Sequence, residues 1–472
     1  MKTPSAQSNL TLSGGEAPLY QQIFNTLQNA ILKGQQAAGS RLPSSRELAA
    51  RLGVSRQSVS LAYEQLVAEG YAHGIHGSGT FVCDDLPETM KLPGKASTPA
   101  RPPQKSKQLP VFTSGIPALD QFPKEIWIKL YTKHLRNDSN ALSYFGHDQG
   151  YWPLRQAIAG YLNTHRGMNC DADQVLVLSG SQQGIELTSR CLLSEGDHAW
   201  IEDPSYSGTQ RALKYCGIQA CPIPVDHEGF QVETAIQTAP DAKLAIVTPS
   251  NQYPLGHTLS IARRLQLIQW ANRSKRWILE DDYDSEFRYR GKPIQAMHSL
   301  DPEQRILYLG TFSKVMFTDL RIGYLVVPRN LIKTFTQARD TTTGNPPIAL
   351  QATLANFINE GHFDRHIRRT RKLCQKRRDA LVNSLAKHCS TFLETQSCDG
   401  GMHLVTYLKD RSLSDTALSQ RALKSNLGLF PLSTLTATKN PRKGFILGFA
   451  AHSERTIQAH IMKLAKLLSR PK

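Results

Sequence analysis

Tyr308-Leu-Gly-Thr-Phe-Ser-Lys-Val-Met-Phe-Thr-Asp-Leu-Arg-Ile-Gly-Tyr324 is the stretch around which the chain is organised. The apolar run Ile306 to Leu309 reads as a buried strand. It stops at Gly310 and passes into a small-residue loop, Thr311-Phe312-Ser313, that ends on Lys314. A lysine at a strand end beside small hydroxyl residues suits Schiff-base chemistry, once burial or a cationic neighbour lowers its affinity for a proton. Arg321, seven positions on, offers a rigid fork for phosphate oxygens. Taken alone, Lys314 reads as a surface lysine after a strand; the surrounding text reverses that reading.

Four more strand-like runs spill polar residues at their C-terminal ends. Val175 to Leu178 runs into Ser179-Gly-Ser-Gln-Gln-Gly184, ahead of a helix expected over 185–193. A glycine- and hydroxyl-rich turn at a helix start presents free N–H groups to a phosphate. His198 to Ile201 delivers Glu202-Asp-Pro-Ser-Tyr206, and Leu244 to Val247 delivers Thr248-Pro-Ser-Asn-Gln-Tyr-Pro-Leu-Gly256. Trp277 to Leu279 delivers Glu280-Asp-Asp-Tyr-Asp284. Open α/β sheets place ligands at such ends, so the pattern predicts a mostly parallel sheet with flanking helices. The residue set suits pyridoxal phosphate, which needs a lysine for its aldehyde, an acid at its ring nitrogen and a phosphate cradle.

The N-terminal quarter has a different period. Ile23, Leu27 and Ile31, with Phe24 and Ala30, are spaced as one helix over 18–33. Ser44-Ser-Arg-Glu47 is a capping box opening a second helix, whose inner face is Leu48, Ala49 and Leu52 and whose end is Gly53. Ser55 caps a third, with Val59, Ala62, Tyr63, Leu66 and Val67 on its apolar face. Two short helices joined this tightly form a helix-turn-helix, and Arg56, Gln57 and Ser58 stand where its second helix enters the major groove. Tyr71 to Val82 is a glycine-turned hairpin, a wing able to lay His76 and Gly77 against the DNA backbone or minor groove.

This segment resembles the GntR-type winged helix in Leu42-Pro-Ser-Ser-Arg-Glu-Leu-Ala, Gly53-Val-Ser-Arg, Ala62-Tyr-Glu-Gln-Leu and Gly77-Ser-Gly-Thr-Phe-Val82. The later motifs resemble the fold-type I aminotransferases. Together they are similar to the MocR subgroup of GntR regulators, from about Leu19 to the C-terminal region except for the linker. The resemblance implies residues 1–16 as a flexible start, 17–83 as the DNA-binding domain, 84–110 as linker and 111–472 as the cofactor-binding domain. It implies that Ser45, Arg46, Arg56, Gln57, Ser58, His76 and Gly77 face double-stranded operator DNA. Lys314 then holds pyridoxal 5'-phosphate as a Schiff base, Asp281 pairs with the ring nitrogen and Tyr283 reaches the ring hydroxyl. Ser181, Gln182, Thr311 and Arg321 bind the phosphate, Tyr206 covers the ring, and Asn251 and Tyr253 line its edge. It also implies a homodimer with exchanged DNA-binding arms and a small amino-compound effector or the cofactor itself as signal, with the fold used as a sensor and, as the alternative, a bifunctional regulator that retains aminotransferase activity.

Four positions depart from the family text. The carboxylate-clamping arginine of aminotransferases falls at Ile446 in Phe445-Ile446-Leu-Gly-Phe-Ala450, which weakens the case for turnover of ordinary amino acids unless Arg442 substitutes. Phe145, beside Tyr144, stands where a partner-subunit tyrosine is expected; Asn251 replaces a frequent histidine, and Asp319 a common glycine.

With 472 residues and 40% hydrophobic content the chain can bury more than one core. Its formal charge is +17, of which residues 1–110 hold only +4, so any attraction to DNA is shared with the larger part. Residues 84–110 lose all periodicity, are broken by six prolines and are basic, which reads as a semi-extended tether. Arg365 to Arg378 holds eight Lys+Arg in fourteen residues. Its inner stripe of Ile367, Thr370, Leu373 and Cys374 suggests a long helix with a solvated basic face, with an accessory DNA track as the alternative. The eight cysteines have no ligand spacing, which argues against zinc and for a reducing compartment. The polar N-terminus lacks a signal core and no run is long enough to span a membrane, so a cytoplasmic protein is expected.

Overall fold

The computed structural model describes residues 17–84, 109–137, 148–291, 294–342, 344–397 and 399–469. Tyr144, Phe145, nearly all of the linker and the first 16 residues lie outside them. The chain divides into two compact units between Lys107 and Gln108.

In the N-terminal unit, α1 (Leu19–Leu32), α2 (Ser45–Leu52) and α3 (Arg56–Ala68) precede the hairpin β1 (Ala72–Ile75) and β2 (Gly79–Val82). The Ser44 hydroxyl accepts from the Glu47 N–H at 3.2 Å, and Gly53 ends α2 at φ 66°, where a side chain would be strained. Ser55 caps α3 by accepting from the Ser58 N–H at 3.1 Å. Ile23, Leu27, Leu48, Val59, Ala62 and Leu66 meet in one core. Val67 does not join it; it is exposed, because the fifth apolar position of α3 turns past the edge of that face. A further strip, 39–42, pairs with the wing through Leu42 N–H to the Thr80 carbonyl at 2.9 Å and Val82 N–H to the Ser40 carbonyl at 2.9 Å.

The C-terminal unit is built on eight strands: β3 (Val175–Leu178), β4 (His198–Asp203), β5 (Gln219–Asp226), β6 (Gly229–Phe230), β7 (Leu244–Val247), β8 (Trp277–Asp282), β9 (Ile306–Thr311) and β10 (Gly323–Val326). Their order is β3-β10-β9-β8-β7-β4-β5-β6, parallel except for β10 and β6. The strands alternate between two buried faces. Leu176, Leu178, Ile201, Ile246, Leu279 and Leu309 enter one core; Val175, Val177, Trp200, Val247, Ile278 and Tyr308 point the other way. With both faces covered, each strand reads as a continuous apolar run.

Strand ends extend beyond their apolar runs. β4 continues through Asp203, β8 through Asp282 and β9 through Thr311, because ladder bonding is indifferent to side-chain polarity. The helix expected from Ile185 begins at Ser181, so Ser181 and Gln182 belong to the first turn of a helix over Ser181–Leu192. A four-stranded antiparallel sheet follows: β11 (Leu393–Thr395), β12 (His403–Leu408), β13 (Phe430–Pro431) and β14 (Gly444–Gly448), in the order β11-β12-β14-β13.

The basic run lies in the helix His362–His388, and the expectation of a wholly solvated charged face is corrected. Arg377 is buried and forks onto Asp120 at 2.6 Å and 3.1 Å; Arg378 is buried and lies over the Tyr289 ring. Arg365, Arg368, Arg369, Lys372 and Lys376 are the exposed members.

Candidate functional site

In the N-terminal unit the candidate surface is contiguous. Arg46, Arg56 and Gln57 are exposed, and Arg56 Nε donates to Ser45 Oγ at 3.3 Å, which orients the guanidinium between the two helix starts. Ser58 is partly turned inward, its hydroxyl 2.9 Å from that of Ser55. His76 and Gly77 form the exposed wing tip, with Gly77 at φ 75°. The structure adds Arg41, an exposed cation bridged to Phe81 and lying along the wing, its Nε 3.0 Å from where a Cβ on Gly79 would stand. A lone arginine in a loop carries no sequence signal of that kind.

In the C-terminal unit a cavity of about 430 Å³ opens at the C-terminal ends of the parallel strands. Lys314, Asp281, Tyr283, Tyr206, Tyr253 and Ser181 all line it. Lys314 Nζ donates to the Gly115 carbonyl at 3.3 Å. Burial lowers the lysine's pKa, against the opposing pull of Asp284 and Asp281. Gly115 sits at φ 81°, in the left-handed region that favours glycine.

Asp281 is buried, and its Oδ1 has no hydrogen-bond partner among the described residues. Burial, then the charges of Asp282 and Glu202, push its carboxyl up to about 7. An acid in that condition is completed by a cationic N–H, the group that a protonated pyridine ring nitrogen provides. Adjacent carboxylates do other work because a strand turns successive side chains to opposite faces. Asp282 forms a buried ion pair with Arg166 at 2.7 Å and accepts from Tyr308. Glu202 accepts from Thr248 N–H at 3.1 Å and Oγ1 at 2.5 Å, while burial raises it to about 7.

The phosphate candidates gather beside this cavity. β10 runs antiparallel, so its first residue, Gly323, is paired with both Leu178 and Thr311, and Arg321 arrives at the same edge as the β3 turn. The Arg321 guanidinium carbon lies 3.8 Å from where a Cβ on Gly180 would stand. Gln182 Nε2 is buried without a partner among the described residues, and Thr311 is buried at the end of β9. Orphaned donors and free first-turn N–H groups fit a phosphate. Asp319 is exposed in the turn before Arg321.

Asn251 stands behind the cavity wall rather than on it. Its Nδ2 donates to the Tyr283 hydroxyl at 3.1 Å and to Asp284 at 2.8 Å, and it lines a separate polar cavity. Tyr206 and Tyr253 meet edge to face, ring centres 6.0 Å apart. Gly208 makes room for both the Tyr206 ring and the Gln182 amide. Ile446 is fully buried among Val405, Leu432 and Leu435. Arg442 does not enter the cavity; it pairs with Glu394 at 2.8 Å and lies over the Tyr407 ring.

Several lining residues have no motif of their own: Ser114, Gly115, Met402, His403, Leu429 and Phe430. Their places come from two tertiary joins. The segment after the linker is sewn to 426–428 by Val111 N–H to the Asn426 carbonyl at 3.0 Å and Gly428 N–H to the Val111 carbonyl at 2.6 Å. β12 and β14 then carry His403 beside Tyr253, ring centres 5.3 Å apart.

Comparison with known proteins agrees in both units. Residues 111–464 match the family of aminotransferase class I and II, and residues 19–82 match the bacterial regulatory proteins of the gntR family. The chain is 37% identical to the probable rhizopine catabolism regulatory protein MocR of Rhizobium meliloti, over 95% of this chain and 93% of that one. It is 30% identical to the pyridoxine biosynthesis transcriptional regulator PdxR of Corynebacterium glutamicum, over 95% of each. Among solved structures, kynurenine aminotransferase of Pyrococcus horikoshii superposes with a TM-score of 0.71 at 28% identity, covering 77% of this chain and 91% of that one.

Proposed function

The chain belongs to the MocR subgroup of GntR-family regulators, and from that premise we propose that it is a DNA-binding transcriptional regulator whose C-terminal unit uses pyridoxal phosphate to detect a primary amine. The observation that carries this reading is the pairing, in one cavity, of a half-buried lysine amine with a buried carboxyl oxygen that has no partner among the described residues.

When bound, the cofactor supplies an aldehyde carbon that condenses reversibly with amines. Asp281 gives its unpartnered oxygen to the ring nitrogen. Ser181, Gln182, Thr311 and Arg321, with the N–H groups of the Ser181–Leu192 helix start, hold the phosphate. Tyr206, Tyr283 and Tyr253 would enclose the ring, and Asn251 holds the Tyr283 hydroxyl in place. Lys314 would hold that aldehyde carbon through its amine, and an amine ligand would compete with Lys314 for it. The Lys314 amine has an acceptor in the Gly115 carbonyl. A ligand shifts the regulator only by the difference between its affinities for the two states.

Arg56, Gln57 and Arg46 would read the operator, with Ser45, Ser58, His76, Gly77 and Arg41 positioning the unit on the backbone. The regulator acts as a homodimer with exchanged DNA-binding arms, in the cytoplasm. Among the described residues no helix is long and apolar enough to cross a membrane.

The test replaces Lys314 by Ala in the full-length protein. The expected outcome is loss of the visible absorption of the holoprotein and of any amine effect on operator binding, with binding of the operator itself retained. Unchanged colour and unchanged amine response would overturn the proposal.

A further inference from the structure

The ligand's chemical class can be read from the part of the cavity that the cofactor-holding residues leave over. This rests on the amine-sensing reading above. Beyond the residues assigned to the cofactor, the lining includes Pro110, Met402, His403, Leu423, Leu429 and Phe430. None of these carries a positive charge under ordinary conditions. His403 is buried, its Nε2 bonded to the Pro254 carbonyl at 2.9 Å, and burial pulls its pKa down to about 4, so the ring is neutral. Lys314 is the one cation among the described lining residues, and it is committed to the cofactor.

The titratable groups that remain are acids, and burial raises the carboxyl of each above its usual range. Asp281 and Asp284 both line the cavity, and Asp284 Oδ2 is buried with no hydrogen-bond partner among the described residues. A ligand carboxylate in this place would lose its water and meet no cationic partner, a cost that a buried charge does not recover. The nearest strand offers no remedy, because Ile446 is sealed in an apolar cluster and Arg442 is engaged with Glu394 and Tyr407. An uncharged tail meets none of these costs, and against Met402, Leu429 and Phe430 it gains by burial.

We propose that the ligand recognised by this unit is a primary amine without a carboxylate, carrying an uncharged and largely apolar tail that lies against Met402, Leu429 and Phe430.

The experiment titrates the full-length holoprotein with two matched pairs, isoamylamine against L-leucine and phenethylamine against L-phenylalanine. Binding is followed by calorimetry and by the visible absorption. The amine of each pair is expected to bind at least about tenfold more tightly than the amino acid, the factor that ~1.4 kcal/mol represents. An amino acid that binds as tightly as its amine, or more tightly, overturns the assignment. Phe430→Arg provides a second arm, because Phe430 is 40% exposed at the rim and its replacement leaves the core intact. It should swing the amine-to-acid preference about tenfold toward the amino acid, by giving the carboxylate a charged partner; an unmoved preference also overturns the assignment. If neither member of either pair changes heat or absorption while the holoprotein keeps its visible band, amine sensing itself fails and the ligand class falls with it. That outcome is distinct from an amino acid winning the comparison.

Discussion

The two units solve recognition in opposite ways. The DNA-binding unit displays side chains that are consecutive in sequence, exposed and locally braced: Arg56 and Gln57 begin a helix capped by Ser55, and Arg56 leans on Ser45. The cofactor-binding unit gathers residues from strands far apart in the chain and leaves some of their polar atoms unsatisfied inside the protein, Asp281 Oδ1 and Gln182 Nε2 above all. A surface of the first kind is ready before its partner arrives. A cavity of the second kind holds groups whose cost of burial is offset only when the ligand arrives, so ligand binding and local stability are linked there.

The contrast can be broken most directly at Asp281. Asp281→Asn removes the charged partner of the ring nitrogen; at about 3–5 kcal/mol for one member of a buried pair, cofactor affinity should fall on the order of 10²–10³-fold. Equilibrium dialysis against pyridoxal phosphate measures it, and an unchanged affinity would mean that the unpartnered oxygen is not the cofactor's anchor. The same variant sharpens the link to stability. Asp281 is raised to about 7 in the folded cofactor-free protein, from an ordinary value near 4. The folded state therefore holds the extra proton between those values, and Asp281's contribution to stability falls as pH rises through that window. Cofactor-free wild type should lose more thermal stability between pH 4 and 7 than cofactor-free Asp281→Asn does. Parallel melting curves for the two would refute the linkage.

The DNA-binding unit should respond locally. Arg56→Ala is expected to weaken operator binding by about 1–3 kcal/mol, the range for one base-reading or phosphate-contacting arginine. Fluorescence anisotropy reads that loss, and the visible absorption of the holoprotein should stay as it was. The smallest change is expected for Ser44→Ala, which removes the cap of α2. It should lower the stability of that unit by about 1 kcal/mol, read by calorimetric melting, and leave pyridoxal phosphate affinity untouched. Any transfer of either effect into the cofactor site would erase the distinction between the two units.

How much of this was legible without coordinates differs between the units for the same reason. Helix periodicity, caps and the glycine turn are relations between residues at most a few positions apart, so the chain text determines α1 to α3, the wing and the exposed triplet that opens α3. The strand-end motifs are equally local, and they identify Lys314, Asp281, Tyr283 and the β3 turn as candidates for one cofactor. Val67 and the buried arginines of His362–His388 were illegible, because exposure depends on what packs against a helix and not on its own period. The lining residues Gly115, His403 and Phe430 were hidden for the same reason.

What the sequence by itself determined is the set of chemical parts: an amine, an acid, a phosphate cradle and a DNA-reading helix start, each announced by a short-range pattern. Only the tertiary structure decided which acid is left without a partner, that an antiparallel β10 returns Arg321 to the phosphate edge, and that the described lining of the cavity holds no cation besides Lys314. Those facts depend on strand order and on contacts between residues hundreds of positions apart, and no local pattern of residue types encodes them.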